Sequence, residues 1–137
     1  MSSAYESADL LMKLYDLRRE ATMREARTWF VRTFHPTSAQ EILDTIRGER
    51  SASYRMVTTY WEMAAAFVNR GAIDEQMFSD SNGEHVAVLS KIEPFLAEYR
   101  TRTGLPHYLQ QLELLVMRLP NARERLAATR ERLKPVD

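Results

Sequence analysis

The three histidines are the first residues to test for chemistry, because imidazole serves as a metal ligand and as a general acid or base. His35, His85 and His107 lie far apart in the sequence, and no two have the i, i+4 spacing that lets one helix present two imidazoles to a metal ion. The paired Glu-x-x-His motifs of di-metal helical bundles are also missing. We therefore predict no metal site and no cofactor.

The usual nucleophile and phosphate-binding motifs are absent as well. The sequence has no cysteine and no Gly-x-Ser-x-Gly turn, and its four glycines are too scattered to build a phosphate-binding loop. We predict no catalytic residue, and an enzymatic function is disfavoured.

Glu62 is the polar residue whose position most suggests chemistry. It follows Trp61 in the most apolar helix-forming segment, and a buried carboxylate must pair with a cation or take up a proton. The simpler interpretation is an exposed Glu62, or one paired with an arginine such as Arg100 or Arg55. The alternative is an acid–base group or a ligand anchor. Glu62, Trp61 and Arg100 therefore form the candidate ligand site or buried ion-pair site.

Helices must position these residues. Leu, Ala, Arg and Glu, which favour helices, total 59 residues, whereas Val and Ile total 11. The length of 137 residues suits one domain with its own core. The predicted fold is all-α, with a single domain over residues 1–137 that forms an irregular helical bundle of about five to six helices.

The first predicted helix is unusually long. It begins at Ser3, which forms a capping box with Glu6, and it ends at Phe34 because Pro36 disfavours helical geometry at the residue before it. Such a helix would extend about 46 Å, whereas a compact chain of this size has a diameter of about 37 Å. We expect it to kink or to project, and a projecting end would need cover from a second copy.

The remaining helices follow from apolar spacing, caps and helix-breaking residues. Pro94 should kink the fourth of them, and the last should be mostly solvated. The predicted segments are 38–48, 51–70 before Gly71, a short turn over 74–78, 84–103 before Gly104, 105–119 before Pro120, and 121 to about 134.

The central helix carries a family resemblance. The segment from Tyr60 to Phe78 contains the pattern Y-W-E-x-x-A-x-x-V-x-x-G-x-I-D-E, and it resembles a family of small, all-helical bacterial domains of unknown function. Segments 16–20, 27–30, 91–100 and 104–109 are similar to the same family. The resemblance implies a helical fold, and it implies no activity, ligand or catalytic residue.

Charge is balanced overall, with nineteen basic and nineteen acidic residues, but it is uneven along the chain. Residues 73–99 contain six acidic residues and one basic residue, whereas residues 118–137 contain six basic and three acidic residues. We expect these two segments to attract one another, within a chain or between copies. The basic segment has no aromatic residue, so nucleic-acid binding is not expected. No membrane span or export signal is predicted, and the expected location is the cytoplasm.

Two functions remain open. The leading hypothesis is a non-enzymatic helical interaction module, forming a homodimer through apolar residues outside the main stripes and through the basic tail. The candidate interaction surface comprises Leu11, Tyr15, Trp29, Arg123 and Arg130. The alternative is a small-molecule-binding bundle or an enzyme with a pocket near Glu62.

Overall fold

The computed structural model describes residues 2–136, and over that range the chain folds into helices without a strand. Eight helices follow one another, so the all-α class is confirmed and the predicted count of five to six is too low. Their bounds are α1 Ala4–Arg18, α2 Ala21–Arg32, α3 Ala39–Arg47, α4 Ser51–Asn69, α5 Glu75–Ser81, α6 Glu84–Thr103, α7 Gln110–Met117 and α8 Ala122–Leu133.

The prediction of one helix from Ser3 to Phe34 is wrong, because the chain breaks between α1 and α2. Glu20 has an extended backbone, and its carboxylate accepts hydrogen bonds from the N–H groups of Thr22 and Met23 at 3.1 and 3.0 Å. Glutamate is uncommon as an N-cap, so a new helix start at this position was not predicted. The break lets each helix bury its own stripe, and within residues 2–136 the longest helix, α6, has only 20 residues.

The predicted caps at Ser3, Ser38 and Asp74 are confirmed, whereas Asn121, predicted to cap the last helix, makes no side-chain hydrogen bond to the start of α8. Ser3 and Glu6 exchange both hydrogen bonds of a capping box, at 2.9 and 3.1 Å. Ser38 and Asp74 accept from the N–H groups of Glu41 and Met77 at the starts of α3 and α5. Gly71 and Gly104 adopt the left-handed conformation, with φ of 81° and 70°, after α4 and α6.

The predicted helix over 105–119 is shorter in the structure, where turns occupy 106–109 and α7 begins at Gln110. Leu109, at 4% exposure, precedes α7 with a φ of 55°, and it has no side chain able to cap the helix. The apolar spacing continues across the turns because Leu109 is itself buried. Of the additional helices, α2 results from the break at Glu20, and α5 occupies the segment that was expected to form a short turn over 74–78.

The core lies around α4, which packs mainly against α2 and α7, while α6 packs against α3 and α8. Trp61, Tyr54, Phe30 and Phe78 are among its largest fully buried side chains. Over residues 2–136, no helix has the length and apolar character needed to cross a membrane.

Helix α8 is mostly exposed, as expected, but it is anchored to α6. Leu126 is 1% exposed, and the Arg130 Nη1 atom donates to the carbonyl oxygen of Ser90 at 2.9 Å. Pro94 lies four residues after Ser90 and has no N–H to donate to that carbonyl. Arg130 therefore satisfies the acceptor that the proline inside α6 leaves free.

Candidate functional site

Trp61 is joined to a partly buried hydrogen-bond network centred on Glu84. The indole N–H of Trp61 donates to Glu84 Oε2 at 3.1 Å, and Arg27 binds both carboxylate oxygens at 2.8 and 3.0 Å. This hydrogen-bonded pair raises the pKa of Arg27. Arg27 also donates to the carbonyl oxygen of Arg18 at 3.0 Å. Glu84 thus ties α2 and α4 to α6, which is a structural role that sequence reasoning missed.

Glu62 neither lies free in solvent nor pairs with an arginine. It is half-buried, and its two carboxylate oxygens accept hydrogen bonds from the backbone N–H groups of Gln111 and Leu112, at 3.0 and 2.8 Å. Those N–H groups belong to the first turn of α7, where helical geometry leaves them without partners. Glu62 therefore caps α7 from α4, and its negative charge suits the positive end of the helix dipole.

Arg100, proposed as the partner of Glu62, contacts other groups near the same helix start. Its guanidinium donates to the carbonyl oxygen of Tyr108 at 3.0 and 2.7 Å, and it lies 3.0 Å from a carboxylate oxygen of Glu113. Over residues 2–136, no arginine nitrogen lies within 4.0 Å of the Glu62 carboxylate. Glu62 and Arg100 thus hold one segment from two sides without pairing, while Trp61 contacts Glu84.

The histidines lie in three different environments. His85 is 3% exposed beside Phe78 and Trp61, and its Nδ1 has no hydrogen-bond partner among residues 2–136. Burial, aided by the charge of Arg125, lowers its pKa to about 4. His107 is exposed and His35 is half-buried. In the described part of the chain, no group of three or more His, Asp or Glu residues is arranged to hold a metal ion.

A cavity of about 540 Å³ lies where the α2–α3 connection, the middle of α6 and the end of α8 meet; we call it the Lys91 cavity. Among residues 2–136, the ionisable residues that line it are all basic or imidazole groups, and the rest of its wall is largely apolar. It is lined by His35, Pro36, Thr37, Lys91, Pro94, Phe95, Arg130, Lys134 and Pro135. This pocket lies on a different surface from the predicted one near Glu62, and its residues were not identified from the sequence, apart from Arg130 as a surface candidate.

Lys91 is 3% exposed and caps the C-terminus of α2. Its Nζ donates to the carbonyl oxygens of Phe30, Val31 and Phe34 at 2.8, 2.6 and 2.7 Å, and it lies 3.4 Å from His35 Nδ1. Burial lowers the pKa of Lys91 to about 8, while hydrogen bonds to carbonyl oxygens favour its charged form. The buried ammonium group therefore places a positive charge at the wall of a partly open cavity.

The exposed face of α1 carries a second unusual feature. Tyr5, Met12 and Tyr15 are 83%, 64% and 44% exposed, and Ala8 between them is exposed as well. The positions 5, 8, 12 and 15 repeat at three and four residues, so they form one stripe along the helix. We call these four residues the α1 stripe. The opposite face of α1 buries Ser7 and Leu14 against the domain.

The predicted interaction surface divides between this stripe and contacts within the chain. Tyr15 belongs to the α1 stripe and Leu11 lies half-buried at its edge. Trp29 is 9% exposed and packs against Phe30 and Phe34. Arg123 lies 3.5 Å from the Glu93 carboxylate, and Arg130 binds the Ser90 carbonyl. The structure thus brings Leu11 and Tyr15 together and places the other three residues elsewhere.

A family model described as "Domain of unknown function (DUF4760)" matches residues 3–119. The chain belongs to this family. The DUF4760 match spans α1 to α7, which include the Glu62 cap and the α1 stripe, and it ends before α8. No curated protein and no solved structure gave a significant match. The family is defined without a function, so membership in it assigns none to this chain.

Proposed function

We propose that this DUF4760 domain is a non-enzymatic interaction module that forms a homodimer through the α1 stripe. The observation that carries the proposal is the stripe itself, in which Tyr5, Met12 and Tyr15 face solvent on one side of α1. Aromatic residues and methionine are enriched at protein interfaces. A helix that buries one face and exposes a second apolar stripe has a surface suited to another helix.

Charge favours a second copy in the antiparallel direction. The first half of α1 contains Glu6 and Asp9, a net charge of −2, whereas residues 13–19 contain Lys13, Arg18 and Arg19 against Asp16, a net charge of +2. In an antiparallel pair, the acidic start of one helix lies beside the basic end of the other. A two-fold axis makes this attraction occur twice, since the same patch is used by both copies.

The spacing of the stripe also fits a helix pair. Positions 5, 8, 12 and 15 correspond to alternating core positions of two heptads. The fifteen residues of α1 extend only about 22 Å, so the interface would be small. We therefore expect a weak homodimer with a Kd on the order of 100 μM.

The test is the molar mass measured by sedimentation equilibrium across a concentration series up to about 1 mM. The unmodified chain is expected to approach the dimer mass at the highest concentrations, and Met12→Glu is expected to stay monomeric. Leu114→Glu is the matched control, because Leu114 is a 47% exposed residue on α7 rather than α1. It should dimerise like the unmodified chain.

A monomeric mass for the unmodified chain over the whole series would overturn the proposal. So would a dimer that persists in Met12→Glu, because the contact would then lie on another surface. Added salt should weaken the dimer only modestly, since the apolar stripe rather than the charge supplies most of the affinity.

A further inference from the structure

We infer that the Lys91 cavity binds an organic anion with an apolar body, such as a medium-chain carboxylate. This site is independent of self-association, because its lining residues come from the α2–α3 connection, α6 and the end of α8. Its volume of about 540 Å³ falls within the range of small-molecule sites.

The charge of the cavity selects an anion. Lys91, Arg130 and Lys134 line it together with His35, and among residues 2–136 no carboxylate side chain does so. Lys91 is the least solvated of these groups, and among residues 2–136 no carboxylate oxygen lies within 4.0 Å of its Nζ. The C-terminus of α2 contributes only about half a negative charge toward it. A bound anion would supply the missing counter-charge.

The hydrogen-bonding capacity of Arg130 suits a carboxylate. Its Nη1 atom is held by the Ser90 carbonyl oxygen, which fixes the position of the guanidinium. An arginine side chain has five N–H donors, so others remain for a ligand. The three short hydrogen bonds of Lys91 go to backbone carbonyls, and its contribution is electrostatic. Lys134 lies 2.9 Å from exposed Glu131 and can exchange this weak partner for a ligand.

The remaining wall of the cavity selects an apolar body. Pro36, Pro94, Phe95 and Pro135 contribute hydrocarbon surface around the basic groups. Inorganic phosphate would satisfy the charges but leave this surface in contact with water. An alkyl carboxylate suits both the basic groups and the apolar wall, because its chain covers the prolines and the Phe95 ring while its head group reaches Arg130.

The experiment compares four probes by two-dimensional ¹H–¹⁵N NMR at constant ionic strength: hexanoate, hexylamine, 1-hexanol and inorganic phosphate. Hexanoate is expected to shift the amide signals of His35, Lys91 and Phe95 in a saturable manner. 1-Hexanol and phosphate should bind more weakly, and hexylamine should not bind. Equal binding of hexylamine and hexanoate would overturn the choice of an anion, and equal binding of phosphate would overturn the apolar body.

Variants locate the site. Arg130→Met is expected to raise the Kd for hexanoate about tenfold, and exposed Lys134→Met, which does not depend on the Ser90 contact, should raise it about threefold. Arg55→Met, which changes an exposed arginine on α4, is the control and should leave the Kd unchanged. Absence of saturable hexanoate binding, or equal affinities in all three variants, would overturn the inference.

Discussion

Glu62 and Lys91 each cap the end of another helix, Glu62 at the N-terminus of α7 and Lys91 at the C-terminus of α2. Each side chain reaches from a long helix, α4 or α6, to the terminus of a shorter one. Glu62 accepts hydrogen bonds from two N–H groups at the start of α7, and Lys91 donates to three carbonyl oxygens at the end of α2. In both cases the charge opposes the charge of the helix end that it contacts.

The two caps differ in burial and in what lies beside them. Glu62 is half-buried, whereas Lys91 is 3% exposed and borders a cavity of about 540 Å³. Each Glu62 oxygen accepts a hydrogen bond from one N–H group of α7, so the carboxylate has a structural role. The hydrogen bonds of Lys91 are also structural, but its positive charge contributes to the electrostatic potential inside the cavity. A buried helix cap can therefore contribute to a ligand site without contacting the ligand.

The largest expected effect is the loss of the Lys91 cap. Lys91→Met keeps most of the side-chain volume but leaves three carbonyl oxygens at the end of α2 without this donor. We expect the free energy of unfolding to fall by about 4 kcal/mol, because unsatisfied buried acceptors are costly. Urea unfolding measures this change. Lys13→Met is the control, because it removes only the surface pair with Asp9 and should cost under about 0.5 kcal/mol. A comparable loss in both variants would contradict the cap.

The next effect concerns His85, which is buried on α6 like Lys91 but has an unpartnered ring nitrogen. Its pKa is about 4 in the folded chain, against 6.5 for an ordinary histidine. Above pH 6.5 both the folded and unfolded forms are neutral, and between 6.5 and 4 mainly the unfolded chain takes up the proton. Stability should therefore fall by about 3 kcal/mol from this residue as the pH drops through that window.

Unfolding experiments at a series of pH values test the His85 prediction. Arg125 and Arg132 line a small cavity beside His85, while Glu84 is held by Arg27 and Trp61, so no free carboxylate in this set favours the charged imidazole. His85→Phe keeps an aromatic ring and should lose this part of the acid dependence. The prediction is wrong if the two proteins lose stability in parallel between pH 6.5 and 4.

The smallest effect is the loss of the Glu62 cap, since its surroundings are partly solvated. Glu62→Ala should lower the free energy of unfolding by about 1 kcal/mol. Glu62→Gln should cost less, because its amide oxygen can still accept one of the two N–H groups. Exposed Glu98→Ala, which removes only a weak pair with Arg102, is the control. A glutamine variant as unstable as the alanine variant would show that charge, rather than hydrogen bonding, dominates this cap.

Local signals predicted most of the helices. The hydroxyl and carboxylate caps at Ser3, Ser38 and Asp74 and the glycines at 71 and 104 act within a few residues, so their effect is visible in the sequence. The break at Glu20 was missed because apolar spacing continues across it, and the start of α7 was missed because its cap comes from Glu62, 48 residues before Gln110. The helix count was low because of the break at Glu20 and because α5 was expected only as a short turn over 74–78.

The sites were harder to predict than the helices. Glu62 stood out because a carboxylate among apolar residues needs a partner. The expected partner was an arginine, whereas in the structure the partners are two backbone N–H groups of α7. Lys91 was noticed only as the single basic residue of an acidic segment. Its spacing from Val88 and Phe95, three and four residues away, already placed it on the packed side of α6. Similarly, the indole N–H of a buried Trp61 needs a hydrogen-bond acceptor, and this requirement pointed to a nearby acceptor such as Glu84.

The sequence by itself determined the helical class, the ends of helices that carry their own caps, and the apolar residues that fill the core. These features depend on neighbours within one or two turns, where spacing in the chain equals proximity in space. The tertiary structure decided which charges cap which helix ends, which apolar stripe stays exposed, and where basic residues from three segments surround a cavity. Those outcomes depend on how the helices pack. Packing brings together residues that are far apart in the sequence, and their spacing along the chain does not indicate that they are in contact.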